Sequence, residues 1–146
     1  MAYDVLDVAN ELLRLAENED DGDLMTNLKL QKMLYYQQGF HLAYFGTPLF
    51  DEDIEAWMYG PVVPKVYDAY EQYGRNGIES NPQKEVEMEP LEWRLFLKVY
   101  DIYGQYSAIG LMNMTHNEPT WINTNKGHGC VISKKSMEDF FKTRIN

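Results

Sequence analysis

Residues 28–46 have the sequence LKLQKMLYYQQGFHLAYFG, which predicts one long helix that is apolar on more than one face. Thr26 or Asn27 can cap its start, and Gly46 can end it. A helix that is apolar over much of its surface usually lies at the centre of a fold. Its polar side chains must therefore find hydrogen-bond partners or line a surface, and they are Gln31, Gln37, Gln38 and His41.

The segments on either side of this helix predict one further helix and one strand. Apolar residues at i, i+3, i+4 and i+7 predict an amphipathic helix over 3–17. The next segment, 17–23, carries five acidic residues and a glycine, which is typical of a solvated loop. Alternating apolar residues over 54–59 predict a strand that ends at Gly60.

The rest of the chain predicts short helices separated by turns. Pro61 suits the first position of a helix that runs to Gly74, and the polar segment 75–89 predicts a surface loop, with an edge strand as an alternative. The remaining elements are predicted as helices at 90–103, 108–116 and 134–145, a turn-rich segment at 117–129 and a strand at 131–132. The fold class is therefore mainly α (α+β), with about six helices and a small antiparallel β element of one to three short strands.

Length and composition favour one domain over 1–146, because 146 residues with 45% hydrophobic content suffice for one core. No run approaches the length of a membrane helix, and the first residues carry acids where a signal peptide carries Lys or Arg, so we expect a cytoplasmic protein without membrane contact. Residues 1–125 carry a net charge of −13, whereas 126–146 carry +3. This basic C-terminal strand and helix could be solvated or could dock on an acidic surface.

Few residues offer chemistry, and we expect no enzyme activity, no cofactor and no metal. His116 and Glu118 could form an acid–base pair in a small hydrolase, or could simply close a helix–loop junction. His128 lies between two glycines, and Cys130 has no third group beside it that would complete a nucleophilic site. The single cysteine excludes an intrachain disulfide, and no dinucleotide or phosphate-binding glycine motif is present.

The chain is rich in tyrosine and tryptophan, with 11 Tyr and 3 Trp. Such residues either fill a core with their polar atoms satisfied or lie half-exposed in a protein-binding surface. Both alternatives are open for the aromatic residues concerned, which are Tyr35, Tyr36, Trp57, Tyr59, Tyr67, Tyr70 and Trp121.

Three ordered strings carry a resemblance to a known family. Residues 26–39 match T-x-L-K-L-Q-K-L-L-Y-Y-x-Q-G, and 48–67 match P-L-F-x-E-x-I-x-A-W-x-x-G-P-V-x-P-x-V-Y. The segment 103–116 matches Y-G-x-x-S-A-x-x-L-x-x-x-T-H, and Trp121 follows it, with Pro119-Thr120 before the tryptophan where many members have proline directly. Over about 22–125 the sequence therefore resembles the Panacea domain, also called the SocA-like or phage-associated protein family.

This resemblance implies an antitoxin, encoded beside a toxin gene on a bacterial chromosome, prophage or mobile element, which neutralises a cognate protein toxin by binding it. The SocA-like branch is associated with delivery of a toxin to an ATP-dependent protease, so a proteolysis adaptor is the alternative function. Many members carry an added DNA-binding region. This sequence has no basic helix-turn-helix, so direct DNA binding is not expected, whereas a homo-oligomer is compatible with the sequence.

A protein-binding surface is the site that an antitoxin requires. The periodicity predicts a groove between the central helix and the strand, and an acidic body could cover a cationic toxin. The candidate contact residues are Gln31, Tyr35, Gln38, Trp57, Tyr59, Pro61, Tyr67, His116 and Trp121.

Overall fold

The computed structural model describes residues 2–19 and 24–145. In these two ranges the chain forms seven α-helices, one short 3-10 helix and a three-stranded sheet, which confirms the predicted mainly α (α+β) class. The helices are α1 (Val5–Glu17), α2 (Asn27–Phe45), α3 (Pro64–Ala69), α4 (Pro90–Tyr103), α5 (Ala108–Thr115), α6 (Pro119–Ile122) and α7 (Lys134–Lys142). The strands are β1 (Ile54–Trp57), β2 (Gly60–Val62) and β3 (Val131–Ile132), and the 3-10 helix is Glu71–Tyr73.

The central helix α2 has the ends that the sequence predicts. The Thr26 hydroxyl accepts a hydrogen bond from the backbone N–H of Lys29 at 3.3 Å, and Gly46 closes the helix in the left-handed conformation, with φ of 73°. All residues from Leu30 to Ala43 are buried, because α1, α4, α5 and α7 pack around this helix. Its contact with α7 is so close that a Cβ on Gly39 would overlap the ring of Phe141.

The buried glutamines of α2 satisfy the backbone of neighbouring loops. Gln38 accepts a hydrogen bond from the N–H of Leu49 at 2.7 Å and donates one to the carbonyl of Phe50 at 2.8 Å. Gln31 accepts a hydrogen bond from the N–H of Val63 at 2.9 Å. Non-helical backbone next to a core needs such partners, so these side chains hold the loops that lead into and out of the sheet.

The sheet is antiparallel with strand order β2-β1-β3. The prediction that Pro61 begins a helix is wrong, because Pro61 lies in β2 opposite Ala56, and the helix begins at Pro64. Proline disfavours a helical conformation in the residue before it, and Val63 is accordingly extended, with φ of −95° and ψ of 102°. Gly60, with φ of 107°, allows the tight reversal between β1 and β2.

Two polar side chains of α1 hold the loop over 75–89. Asn10 accepts a hydrogen bond from the N–H of Asn81 at 2.8 Å, and Glu17 accepts one from the N–H of Ser80 at 2.7 Å. In place of the alternative edge strand, the described loop contains one isolated bridge between Thr26 and Gly77. The acidic segment predicted at 17–23 lies mostly outside the described residues.

The Glu92 cluster, formed by Tyr3, His41, Thr47 and Glu92, joins the ends of three helices. His41 Nδ1 donates to the Thr47 carbonyl at 2.6 Å, and Nε2 donates to Glu92 Oε2 at 2.5 Å. The Tyr3 hydroxyl donates to the other Glu92 oxygen at 2.5 Å, so this carboxylate connects the start of α4 to α2 and to the residues before α1.

The C-terminal part of the chain contains two helices, α6 and α7. The short helix α6 lies inside the segment that was predicted to be only turn-rich. The last helix, α7, docks on α2 through Met137, Phe140 and Phe141, all of which are buried.

Within the described ranges, no helix has the length and apolar character needed to cross a bilayer.

Candidate protein-binding surface

Four of the nine candidate residues are buried, and they support the surface from inside. Gln31, Tyr35 and Gln38 are at most 1% exposed, and Pro61 is also buried. Gln31 and Gln38 hold backbone groups, as described above, and the Pro61 carbonyl accepts a hydrogen bond from the Lys32 ammonium at 3.2 Å. These residues therefore position the strands and loops that carry the exposed candidates.

The other five candidates come together around the turn between β1 and β2. Met58 and Tyr59 form the tip of this turn and are 71% and 63% exposed. We use the term hairpin surface for the side chains at and around this tip, which are Trp57, Met58, Tyr59, Tyr67, His116 and Trp121. Met58 was missing from the sequence-based set, because the alternating pattern placed it on the same apolar face as Ile54 and Ala56. The strand ends at Trp57 instead, and Met58 lies in the exposed turn.

Two ring N–H groups hold the backbone of the hairpin. Trp121 Nε1 donates to the Trp57 carbonyl at 2.8 Å, and His116 Nε2 donates to the Met58 carbonyl at 3.0 Å. The two donating rings are themselves stacked, with centroids 4.2 Å apart. His116 at the end of α5 and Trp121 in α6 thus hold two consecutive carbonyls of the turn. The Met58 and Tyr59 side chains therefore project from a backbone that hydrogen bonds fix in place.

Ring stacking extends the hairpin surface on both sides. The imidazole of His128 stacks on Trp57 at a centroid distance of 4.1 Å, and Tyr67 meets the same indole edge-on at 5.2 Å. On the other side, the Lys126 ammonium lies 4.3 Å from the ring centroid of Trp121, in a cation–π contact. His128 and Lys126 were not predicted as site residues, because they meet the indoles only in the folded chain.

A cavity of about 410 Å³ adjoins the hairpin surface, between the start of α2 and the sheet. Its walls include Gln31, Trp57, Tyr59 and Tyr67, so this part of the predicted groove is present, although Tyr35 and Gln38 do not line it. Lys32 forms part of its floor and is fully buried; that burial lowers the pKa of its amine to about 7. A wider groove, of about 870 Å³, lies elsewhere, between α6, β3 and α7.

Beneath the hairpin surface, the Glu118 cluster, formed by Tyr35, Tyr36, Glu118 and Thr120, fastens α6 to α2. The hydroxyls of Tyr35 and Tyr36 donate to the two Glu118 oxygens at 2.7 and 2.8 Å, and the Tyr35 and Thr120 hydroxyls lie 2.5 Å apart. Burial raises the pKa of Glu118 above its usual 4.5, although the two tyrosine hydrogen bonds oppose that effect. The cluster fixes the helix that carries Trp121.

This arrangement separates the residues considered for catalysis or metal binding. Both carboxylate oxygens of Glu118 accept hydrogen bonds from tyrosine hydroxyls. His116 instead contacts the Met58 carbonyl and the Trp121 ring. His128 stacks on Trp57 instead of facing either of them. Among the residues that the structure describes, no three His, Cys, Asp or Glu side chains lie close enough together to hold a metal ion.

Residues 30–122 match the family described as "Antitoxin SocA-like, Panacea domain", and the chain therefore belongs to this family of antitoxins. Among curated proteins, it is 42% identical to "Antitoxin SocA" from Caulobacter vibrioides (strain NA1000 / CB15N). That likeness spans 97% of this chain and 84% of the Caulobacter protein. No solved structure matches the chain.

Proposed function

We propose that this antitoxin neutralises a cognate protein toxin, encoded by an adjacent gene, by binding it directly through the hairpin surface. The observation that carries the proposal is the tip of the hairpin, where Met58 and Tyr59 are largely exposed and their backbone is held by Trp121 and His116. Binding energy in protein interfaces concentrates in such aromatic residues, and a fixed backbone reduces the entropy that is lost on binding.

The charge of the chain favours a cationic toxin. Residues 1–125 carry 21 acidic and 8 basic side chains, so most of the body is strongly negative. Complementary charge speeds the encounter of two proteins and discriminates against wrong partners. An exposed apolar tip within an acidic body therefore supports a partner that has an apolar pocket surrounded by Lys and Arg.

The first test co-expresses the tagged protein with the product of the adjacent gene and measures both growth and the recovered complex. We expect the neighbouring protein to be toxic alone, harmless in the presence of this chain, and recovered with it in a fixed stoichiometry. A neighbour that is not toxic, or that stays toxic in the presence of this chain, would contradict an antitoxin role. Loss of the neighbour from cells without a recoverable complex would instead favour delivery to an ATP-dependent protease.

The second test maps the surface. Tyr59→Ala and Met58→Ala remove exposed side chains and should each weaken the complex by about tenfold or more, with unchanged thermal unfolding. Ile109→Ala is the matched control, because Ile109 is 55% exposed and lies outside the hairpin surface. Equal affinities for all three variants would place the toxin on another surface while leaving the antitoxin role intact.

A further inference from the structure

A second concave surface lies at the other end of α2, where α2, α4 and the residues after α7 meet. It encloses about 320 Å³, and we call it the α2–α4 groove. Its aliphatic and aromatic lining consists of Phe40, Tyr44, Leu95, Val99, Ile102, Tyr103 and Ile145. The groove shares no lining residue with the cavity beside the hairpin surface.

Part of this lining is exposed although it is apolar. Tyr44 is 50% exposed and Ile102 is 44% exposed. Along α4, Leu91, Leu95 and Ile102 recur at i, i+4 and i+11 and so share one face, while Phe96 faces the core. A helix with a second apolar face usually covers that face with another element or a partner.

Two cations flank the groove in a chain of net charge −10. Lys98 lies on α4 and Arg144 follows α7, and within 2–19 and 24–145 neither forms an ion pair with a carboxylate. The Arg144 guanidinium lies 4.9 Å from the ring centroid of Phe140, which keeps this cation against an apolar surface. The groove therefore combines apolar side chains with two cations, and its exposed lining is polar as well as apolar.

We propose that the α2–α4 groove binds an amphipathic helix of a partner protein, with acidic side chains beside its apolar stripe. Amphipathic helices dock in grooves through apolar residues at i, i+3, i+4 and i+7, and the two cations favour acidic side chains beside that stripe. A second copy of this chain would also be negative overall, but its charge is spread over a folded domain, whereas the groove presents its two cations beside a short apolar surface. The proposal thus adds a second interaction to the toxin binding proposed above.

The two surfaces are far enough apart to be occupied together. Gln31 lines the cavity at the hairpin, and Tyr44 lines the α2–α4 groove, so 13 residues of the same helix separate them. At 1.5 Å per residue this corresponds to about 20 Å along the axis. One α2 helix therefore carries the toxin-facing cavity near its start and the helix-binding groove near its end.

The test uses the full chain with labelled Ile, Leu and Val methyl groups and two synthetic peptides of about 14 residues, long enough for about 21 Å of helix. One peptide has Leu at i, i+3, i+4 and i+7 flanked by Glu, and the other has Lys in place of every Glu. We expect the Glu peptide to shift the methyl signals of Leu95, Ile102 and Ile145, and to bind about tenfold or more tightly than the Lys peptide.

Variants assign the binding to the groove. Lys98→Glu should weaken binding of the Glu peptide by about tenfold, and Tyr44→Ala should weaken it without changing the charge. Lys135→Glu makes the same charge change on an exposed residue outside the groove and should leave the affinity unchanged. Tyr59→Ala should bind the peptide normally, which separates this result from the toxin interaction.

Three results would overturn the proposal. They are failure of the Glu peptide to bind, equal binding of both peptides, and methyl shifts outside the groove. Light scattering provides a further check, because a dimer that Ile102→Glu dissociates would identify a second copy of the chain as the occupant. In that case the acidic partner helix would be rejected.

Discussion

Glu118 and Glu92 both accept hydrogen bonds from tyrosine hydroxyls, yet their pKa values shift in opposite directions. Burial raises the pKa of Glu118, whose close partners are two neutral tyrosines. Burial also acts to raise the pKa of Glu92, but the hydrogen bonds from Tyr3 and His41, and the charge of His41, lower it overall. The comparison shows that the depth of burial decides the direction of the shift. The pKa of Glu118 is raised in spite of two tyrosine hydrogen bonds and the charge of Arg144, whereas the hydrogen bonds from Tyr3 and His41 outweigh the weaker burial of Glu92.

The largest expected effect comes from deleting the Glu118 carboxylate. Glu118→Ala leaves two buried tyrosine hydroxyls without their acceptor and should lower the free energy of unfolding by about 3 kcal/mol. Glu92→Ala is the matched control and should cost about 1 kcal/mol, because Glu92 is partly exposed and water can replace the carboxylate. Urea denaturation measures both values, and equal losses would contradict the assignment of Glu118 as the supporting residue of α6.

Lys32 extends the comparison from carboxylates to a cation. It is buried, and in the described part of the chain no carboxylate pairs with it. Burial lowers the pKa of its amine to about 7, so protonating it in the folded state costs stability. The folded chain then binds fewer protons than the unfolded chain between about pH 7 and pH 10, and stability should rise with pH across that window. Lys32→Met should be more stable than wild type by about 2 kcal/mol at pH 6.

The same variant should lose this advantage as the pH rises to 10. Lys65→Met, at an exposed lysine, is the control and should show no comparable change with pH. Thermal unfolding at several pH values gives the difference directly. A constant difference between wild type and Lys32→Met would show that the amine does not titrate within this window.

Deletion of single hydroxyls tests the same contrast at smaller scale. Tyr36→Phe removes the hydrogen bond to Glu118 Oε2 and should cost about 1.5 kcal/mol, because the carboxylate is buried. Tyr3→Phe removes a hydrogen bond to Glu92, which keeps His41, and should cost about 0.5 kcal/mol. Chemical denaturation of the two variants compares them, and a larger loss for Tyr3→Phe would reverse the assigned roles.

The smallest expected effect is a pair of opposite pH dependences. The raised pKa of Glu118 gives stability that is complete below its unfolded value of about 4.5 and is lost as the pH rises through the folded value. The lowered pKa of Glu92 gives stability that is present above about 4.5 and is lost as the pH falls through the folded value. Relative to wild type, Glu118→Gln should therefore gain stability as the pH rises from 4 to 7.

Glu92→Gln should show the opposite trend at lower pH and lose stability relative to wild type as the pH rises from 3 to about 4.5. Both glutamine variants keep the shape of the side chain, so the comparison isolates the charge. Unfolding midpoints at pH 3, pH 4.5 and pH 7 provide the measurement. Parallel trends in the two variants would contradict the opposite shifts.

Local signals predicted the helices well. Thr26 and Gly46 mark the ends of α2, and the predicted limits of α4 are those observed, Pro90 and Tyr103. Pro61 misled the prediction, because Pro61 and Pro64 both suit the first position of a helix. Pro64 disfavours a helical conformation in Val63, which is extended, so the helix begins at Pro64. The short helix α6 has few local signals, since Glu118 is held by tyrosines more than 80 residues earlier.

The candidate surface was predicted only in part, because local patterns carry some of its residues and tertiary contacts bring in the others. Gln31, Trp57 and Tyr59 line the cavity at the hairpin, as spacing in the helix and alternation in the strand suggested, and Tyr67 lines it too. Tyr35 and Gln38 lie inside, because a helix surrounded by neighbours buries every face and its periodicity then indicates no direction. His128 and Lys126 meet Trp57 and Trp121 only through tertiary stacking, which sequence spacing does not encode.

The contact between Gly39 and Phe141 also has a consequence for protein synthesis. The two residues are separated by about 100 positions, which a ribosome needs roughly 5–20 s to translate. During that interval α2 has been made but the aromatic side chain that covers Gly39 has not. A nascent chain therefore lacks the final helix against its centre until synthesis is nearly complete, and the packing around Gly39 can form only after residue 141 has been made.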